Sequence, residues 1–312
     1  MKKLTILAML AMLTPATTAF AISPTLGPGE YAASGIHKWS TKVKQNGITT
    51  TLWIYLPYPT PKTKVPCVFI APAGTPLIYG SDLTEDDEAE HRPYVESGMA
   101  VIAYSISGPG DVKAAISDNL APCQAFMKAH AGLSNAQEAI DFALKNVPEI
   151  DPKKLYTAGH SSAGTLSLFV AEMEPRISAC IAYAPVTDVT KAFKENTDYI
   201  NGVDDMLDGF NDFLHRASPI NHTAKLKCPV FLFHADDDTV EENADIDVFY
   251  DNLCKTNKTV SFYQIPVGGH FESMIEVGVP KAIEWLKQLP AVKPGIFRWK
   301  DVVTPAGGEQ AQ

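Results

Sequence analysis

The sequence has little positive charge, no long apolar run and no internal repeat, and each absence excludes a class of protein. Its 26 lysine and arginine residues are outnumbered by 36 aspartate and glutamate residues, giving a formal net charge of −10. A surface of this sign repels phosphate backbones, so we expect no nucleic acid partner. The longest apolar run holds about ten residues, fewer than the ~20 that cross a bilayer. Solenoids and other repeat folds are not indicated.

Cysteine is also scarce, and its spacing argues against a metal centre. Five cysteines occur singly, with no Cys-x-x-Cys pair: Cys67, Cys123, Cys180, Cys228 and Cys254. An odd number leaves at least one thiol free within a chain, and the sequence does not pair the others. The acidic run 82–90 lacks the Asp-x-Asp-x-Asp-Gly spacing of a calcium loop and is typical of a solvated helix start. We therefore expect neither a metal nor a cofactor.

The first 21 residues have the features of a secretory signal peptide. Lys2 and Lys3 precede the apolar run, and Ala19-Phe20-Ala21 supplies small residues for cleavage. We expect a mature chain that starts near Ile22, is exported to the periplasm or the medium, and has no stable membrane insertion; an uncleaved anchor is the alternative. Losing Lys2 and Lys3 takes the net charge from −10 to −12. Export makes disulfides chemically accessible.

Short apolar runs then alternate with helical patterns, which predicts an α/β fold. The strand-like runs are residues 36–43, 48–56, 66–71, 99–106, 154–158, 177–183, 229–234 and 259–265. The helical patterns are residues 84–97, 134–145, 240–253, 271–289 and a segment that starts at Ser161. Asn46-Gly47 joins the first two runs as a hairpin. The series predicts a mostly parallel sheet of eight strands, opened by an antiparallel hairpin and covered by helices on both faces.

We therefore assign residues 22–293 to one α/β domain. Residues 184–227 exceed the usual loop length of ~4–6 residues by a wide margin, and the stretch 204–210 suggests short helices. This insertion is a candidate lid or pocket wall. Residues 294–312 are assigned to a poorly ordered C-terminal tail.

The strand-like run 154–158 leads into Gly159-His160-Ser161-Ser162-Ala163-Gly164, the pattern of a nucleophile elbow. Such a turn strains the serine backbone and needs small neighbours; the usual pattern is G-x-S-x-G, and Ala163 stands at the second glycine. Centring the motif on Ser161 puts Gly159 two residues before it, whereas Ser162 would have the bulky His160 there. Ser161 is the candidate nucleophile, with a helix N-cap as its alternative role. The N–H group of Ser162 is then a candidate oxyanion donor.

Candidate partners follow in the order Ser, Asp, His that the α/β-hydrolase fold uses, so we assign the domain 22–293 to that fold. The seventh strand ends in Asp236-Asp237-Asp238, and the eighth is followed by Gly268-Gly269-His270. An imidazole can take the serine proton and return it to the leaving group, while a carboxylate fixes its tautomer. His270 is the candidate base, with an ordinary helix-start histidine as the alternative. Any of the three aspartates can be the acid, and those that are not can cap the following helix.

The second oxyanion donor is expected in the loop after the third strand, Ala71-Pro72-Ala73-Gly74-Thr75. Gly74 is our choice, and Ala73 and Thr75 remain open. His160 and His234 flank the candidate site as structural supports. The remaining histidines lack partner patterns and are interpreted as structural or surface residues: His37, His91, His130, His215 and His222.

Together, Asp151-Pro152, the elbow, the segment 234–240 and Gly268-Gly269-His270 resemble the catalytic domain of the prolyl oligopeptidase family and the similar dienelactone hydrolases. The resemblance covers roughly residues 48–289. It implies that Asp238, four residues after His234, is the acid, with Asp237 as the fallback. Dienelactone hydrolases carry a cysteine nucleophile, so the serine here favours the other branch.

Prolyl oligopeptidases normally carry a β-propeller before this domain, and residues 22–66 are about as long as one blade, where propellers need roughly four to eight. Without a propeller to hold a peptide, we expect an esterase for small acyl or sugar esters that works through an acyl-enzyme. A serine peptidase is the second hypothesis. A catalytically inactive binding protein of the same fold is the third.

Overall fold

The computed structural model describes residues 22–23, 26–28, 30–33, 35–194, 203–241, 243–289 and 295–298. The strands are β1 (Ile22–Ser23), β2 (Gly27–Pro28), β3 (Glu30–Ala33), β4 (Ile36–Gln45), β5 (Ile48–Pro57), β6 (Val65–Ile70), β7 (Ala100–Tyr104), β8 (Ile150–His160), β9 (Ala179–Tyr183), β10 (Val230–Ala235), β11 (Val260–Ile265) and β12 (Gly295–Arg298). The α-helices are α1 (Glu88–Glu96), α2 (Leu120–Lys128), α3 (Leu133–Asn146), α4 (Ser162–Met173), α5 (Val189–Lys194), α6 (Phe210–Ala217), α7 (Asn243–Thr256) and α8 (Val279–Gln288). The predicted signal peptide lies outside the described residues.

One ten-stranded sheet organises the molecule, in the order β12-β11-β10-β9-β8-β6-β7-β5-β4-β3. In this order, every neighbouring pair from β12 to β7, including those of β6, is parallel. The pairs β7–β5, β5–β4 and β4–β3 are antiparallel. The predicted mostly parallel sheet with an opening hairpin is confirmed, and its eight strands are β4 to β11. Two edge strands extend it, and β1 pairs with β2 in a separate small sheet. β12 belongs to the segment that the sequence analysis assigns to a tail. It pairs with β11 and covers the edge that this strand would otherwise expose.

Side chains that alternate along the strands feed two cores, one on each face of the sheet. On β6, Cys67 and Phe69 join one core, while Val68 and Ile70 join the other. Helices α2, α3, α4, α6 and α7 contribute to the first core, and α1 and α8 to the second. Because both faces are covered, the central strands are buried throughout, which explains their continuous apolar runs.

The helices match the predicted patterns with local differences. The sequence pattern does not predict α2, because its nine residues are too few to show a clear helical repeat of apolar side chains. The last predicted helix is interrupted, because a π-helical turn at Met274–Gly278 precedes α8. No helix within the described residues is long and apolar enough to span a bilayer.

The insertion 184–227 lies between β9 and β10, and its described residues include α5, α6 and two 3₁₀ turns, Pro219–Asn221 and Thr223–Lys225. In the stretch 204–210, for which the sequence predicts short helices, Asp204 is helical together with Val203, residues 205–209 form turns, and α6 begins at Phe210. Residues 195–202 of the insertion lie outside the described part. All five cysteines are unpaired.

Candidate active site

A strained turn between β8 and α4 carries Ser161. Its backbone has φ 53° and ψ −124°, in the left-handed region that non-glycine residues seldom adopt. The turn is fixed on both sides, because the Ser161 N–H donates to the Tyr183 carbonyl at 2.8 Å and its carbonyl accepts from the Thr165 N–H at 3.0 Å. Backbone strain of this kind costs of order 1–3 kcal/mol and persists where surrounding contacts over-determine it.

The small residues around Ser161 allow the strand and the helix to approach closely. A Cβ atom on Gly159 would lie 2.3 Å from the carbonyl oxygen of Ala163, far inside contact distance. On Gly164, a Cβ would lie 3.0 Å from the carbonyl oxygens of Gly159 and Tyr183. The methyl group of Ala163, where the usual motif has glycine, is therefore accommodated because residue 159 has no side chain.

The candidate acid and base meet beyond the carboxyl ends of β10 and β11. Nδ1 of His270 lies 2.7 Å from Oδ2 of Asp238, whose side chain is only 1% exposed. Oδ1 of Asp238 accepts from the N–H groups of Val240 and Glu241 at 2.8 and 3.1 Å. Burial acts to raise the pKa of Asp238, but these hydrogen bonds and the His270 ring outweigh it and lower the pKa below its ordinary value.

This pairing sets the tautomer of His270. An ionised carboxylate only accepts hydrogen bonds, so Nδ1 of His270 must carry a proton. In the neutral ring, Nε2 is then the unprotonated atom and can act as a base. The arrangement can therefore remove a proton from a hydroxyl group that is placed at Nε2.

Asp237 makes a different contact, to the loop that carries the histidine. Its two carboxylate oxygens accept from the backbone N–H groups of Gly268 and Gly269 at 3.1 and 2.8 Å. The bonds from Gly269 and Gly268 lower the pKa of Asp237, which is fully exposed. The carboxylate thus ties the end of β10 to the two residues before His270. The sequence reasoning that listed Asp237 only as a fallback acid missed this function.

His160 supports the loop from the other side. Its Nε2–H donates to the carbonyl of His270 at 2.9 Å, and the two rings lie 4.4 Å apart between centroids. Burial lowers the pKa of His160 to about 4, with a further contribution from His270, so the ring is neutral. Its Nδ1 lies 3.9 Å from Oε1 of Glu90. His234 bonds the Glu241 carbonyl through Nε2 at 3.0 Å and lies 3.5 Å from Asp238 Oδ2.

Glu90 corrects the interpretation of the acidic run 82–90 as simply solvated. The run does begin with a 3₁₀ turn, Glu85–Asp87, in which Thr84 and Asp87 form a capping box. Glu90, however, points inward from α1, and burial raises its pKa to about 8. Sequence spacing held a signal for this, because Glu90 shares a helical face with the buried Tyr94. Two of the histidines outside the site, His91 and His37, are also buried.

The oxyanion side of the turn is built from α4 and the loop after β6. The hydroxyl of Ser162 accepts from the Thr75 N–H at 3.0 Å, which ties the two segments together and occupies that donor. Gly74 has a left-handed φ of 77°, and a Cβ atom there would meet nothing within 4 Å, so it borders open space. The N–H of Ser162 lies at the start of α4, where the helix dipole favours negative charge.

Ser161 and His270 are brought to one place but are not hydrogen-bonded to each other among the described residues. His160 is the residue before Ser161, and its ring contacts His270, so the serine turn and the histidine loop are neighbours. Such bonds are often long in unliganded enzymes and tighten when substrate binds.

A small apolar cavity adjoins Ser162. Its volume is about 20 Å³, room for roughly one water molecule. It is lined by Thr75, Leu77, Ile106, Phe126, Ala131, Ser162, Thr165, Leu166, Phe169, Val189 and Ala217. We name it the acyl-side cavity. The insertion supplies two of the lining residues, Val189 and Ala217.

Fold and site together define a serine hydrolase of the α/β-hydrolase class. Residues 91–289 match the model of the prolyl oligopeptidase family, which is more than half of the chain. The chain therefore belongs to the prolyl oligopeptidase family, and the predicted family resemblance is confirmed.

Individual relatives include both esterases and peptidases. Acetyl esterase Axe7A of Xylanibacter ruminicola is 27% identical over 113 residues, which cover 33% of this chain and only 24% of that protein. Acetyl xylan esterase 1 of Thermoanaerobacterium sp. superposes with a TM-score of 0.61 at 18% identity, covering 84% of this chain and 86% of that one. Acylaminoacyl peptidase of Pyrococcus horikoshii gives 0.66 at 14% identity, covering 84% and 43%. At these identities, the two structures show the fold alone.

Proposed function

We propose that this chain is an exported esterase that hydrolyses small, acetyl-sized esters through an acyl-enzyme on Ser161. The hydrogen bond between Asp238 and His270 beside the strained serine turn is the observation that carries the proposal. It leaves Nε2 of His270 as the unprotonated, basic atom of the ring, and it presents a buried carboxylate to stabilise the ring once it is protonated.

Each step has a group assigned to it. His270 takes the Ser161 proton as the hydroxyl oxygen attacks the ester carbonyl, and the developing oxyanion accepts from the N–H groups of Ser162 and Gly74. Gly74 is chosen over Thr75 because the Thr75 N–H already donates to Ser162. His270 returns the proton to the departing alkoxide, leaving an acyl-serine. Water, deprotonated by the same base, then hydrolyses this ester and restores the serine.

The size of the acyl group follows from the acyl-side cavity. Its wall includes Thr75 and Ser162, the residues on the oxyanion side of the turn, so it lies where an acyl substituent would extend. A void of about 20 Å³ holds a methyl group and excludes a long chain. The names of two relatives, an acetyl esterase and an acetyl xylan esterase, agree with this preference.

A peptidase is the second candidate, favoured by membership of the prolyl oligopeptidase family. Turnover of 4-nitrophenyl acetate, butyrate and octanoate, compared with 4-nitroanilides of amino acids and dipeptides, separates the two. We expect acetate to be the best ester and the anilides to react far more slowly. Comparable efficiency on an anilide would sink the esterase proposal in favour of the peptidase.

Labelling with a serine-directed fluorophosphonate tests the nucleophile and the third candidate, an inactive binding protein. We expect the parent and Ser162→Ala to be labelled and Ser161→Ala not to be, with turnover of Ser161→Ala lower by up to about 10⁶-fold. A parent protein that resists labelling would support the inactive alternative. Export is tested separately by N-terminal sequencing of the protein from culture, which we expect to begin near Ile22.

A further inference from the structure

A second, larger cavity lies next to the acyl-side cavity and has no part in the mechanism above. Its volume is about 490 Å³, within the ~300–1,000 Å³ typical of small-molecule sites. The two cavities share three wall residues, Ala131, Phe169 and Ala217, which therefore separate them. We name the larger one the basic pocket because of its lining.

The lining of the basic pocket divides into an apolar and a basic part. The apolar part includes buried Phe169 and Phe213 and partly buried Met127, Leu133 and Met173. The basic part consists of Arg216 and Lys225, both exposed, together with His130 and His222. Every ionisable side chain in the lining is thus basic, in a chain whose net charge is −10.

These positive charges are not neutralised within the described residues. Neither Arg216 nor Lys225 takes part in an ion pair there, and the Lys225 ammonium contacts the Met173 sulfur at 3.5 Å. Burial raises the pKa of the nearby Glu172 carboxyl well above its usual range, while Lys225 opposes the rise. An anion bound in the pocket would pair with both Arg216 and Lys225.

The helix dipole accounts for only part of this arrangement. Arg216 lies in the last turn of α6, where a positive charge is stabilised by the helix C-terminus. Lys225 and His222 belong to the turns after α6, and His222 is held there by a hydrogen bond from Nε2 to the Arg216 carbonyl at 2.9 Å. Two basic segments thus line one apolar pocket. The dipole of α6 explains the position of Arg216 but not those of His222 and Lys225.

We propose that the basic pocket binds a small organic carboxylate with an apolar body. The apolar body would pack against Phe169, Phe213 and Met173, while the carboxylate would bind between Arg216 and Lys225. Arginine and lysine form charge-assisted hydrogen bonds to carboxylates, and the methionines adapt to ligands of different shape. The site is separate from Ser161, so the proposal stands whether or not the chain hydrolyses esters.

Octanoate is the probe, and methionine methyl groups report where it binds. In protein with ¹³C-labelled methionine methyls, we expect octanoate to shift the Met127 and Met173 signals saturably and to leave Met99 and Met274 unmoved, since these two belong to the core on the opposite face. Octan-1-ol, which has the chain without the charge, should bind at least tenfold more weakly. Ser161→Ala should bind octanoate as the parent does.

Substitutions of the two cations test the anion contact. Arg216→Gln and Lys225→Gln should each weaken octanoate binding by about tenfold, the scale of one charge-assisted hydrogen bond at a part-exposed site. Lys113→Gln, an exposed lysine away from the pocket, is the matched control and should bind normally. Equal binding of octanoate and octan-1-ol, unaltered binding in both glutamine variants, or unmoved Met127 and Met173 signals would each overturn the proposal.

Discussion

The two sides of the candidate active site are built by different forces. On the histidine side, Asp238, Asp237 and His160 hold His270 and its loop through hydrogen bonds of 2.7 to 3.1 Å. On the acyl side, apolar side chains from α2, α4 and the insertion surround a small cavity with few polar contacts. Hydrogen bonds fix direction and protonation, and apolar packing fixes shape. In the proposed function, the reaction is therefore specified on the histidine side and the size of the substrate on the acyl side.

The largest expected effect comes from removing the charge beside His270. Asp238→Asn should lower turnover by about 10⁴-fold, because an amide does not hold the ring in the required tautomer or stabilise its cation. Steady-state kinetics on 4-nitrophenyl acetate measure this. Near-normal turnover in Asp238→Asn, with a large loss in Asp237→Asn, would exchange the functions of the two carboxylates.

The second prediction concerns Glu90, which lies next to His160 on the histidine side. Its folded pKa of about 8 lies above the ordinary 4.5, so the folded state binds this proton more tightly than the unfolded state. The resulting stability is fully present below pH 4.5 and is lost as the pH rises towards 8. Relative to Glu90→Gln, the parent should therefore lose on the order of a few kcal/mol of unfolding free energy over that range.

Urea unfolding at pH 5, 7 and 8.5 measures this difference. Glu96→Gln is the matched control, because Glu96 lies on the same helix, is exposed and pairs with Arg92 at 3.7 Å. The control should follow the parent at every pH. A parent and a Glu90→Gln variant whose stabilities change in parallel would contradict the buried, protonated state of Glu90.

A smaller effect is expected for Asp237, which positions the loop without touching the ring. Asp237→Asn keeps one good acceptor for the Gly268 and Gly269 N–H groups, so kcat should fall by on the order of tenfold, less than the ~10² that a 1 Å misplacement costs. Asp251→Asn, another exposed carboxylate, is the control. An unchanged kcat would mean that the loop keeps its position without this carboxylate.

The smallest effect on the chemistry is expected on the acyl side. Phe169→Leu shortens a wall of the acyl-side cavity, so the ratio of butyrate to acetate turnover should rise by roughly tenfold, the scale of one methylene in an apolar pocket. Phe249→Leu removes a fully buried ring elsewhere in the same core and controls for lost packing. If both variants changed the ratio equally, the cavity would not be the acyl site.

What sequence could predict follows the same division. The order of strands placed Ser161, the aspartates and His270 at one edge of the sheet, because a run of short apolar strands leaves few topologies. The family resemblance favoured Asp238 over Asp237, but only the structure gives their different contacts, Asp238 to the His270 ring and Asp237 to the backbone N–H groups of Gly268 and Gly269. The burial of Glu90 was missed because an acidic residue in the run 82–90 is expected to be exposed to solvent. The acyl-side cavity depends on packing between α2, α4 and the insertion, which no motif records.

The unpaired cysteines have a consequence for the folding of this chain under the proposed export. Burial raises the pKa of the Cys67 and Cys180 thiols well above their usual range, and that of Cys123 and Cys228 to about 11 and about 12. Disulfide exchange proceeds through the thiolate, so folding itself suppresses the oxidation of these four residues. In an oxidising compartment, the order of events then matters, because a chain that folds before it is oxidised keeps its thiols and a slower one is trapped by incorrect disulfides.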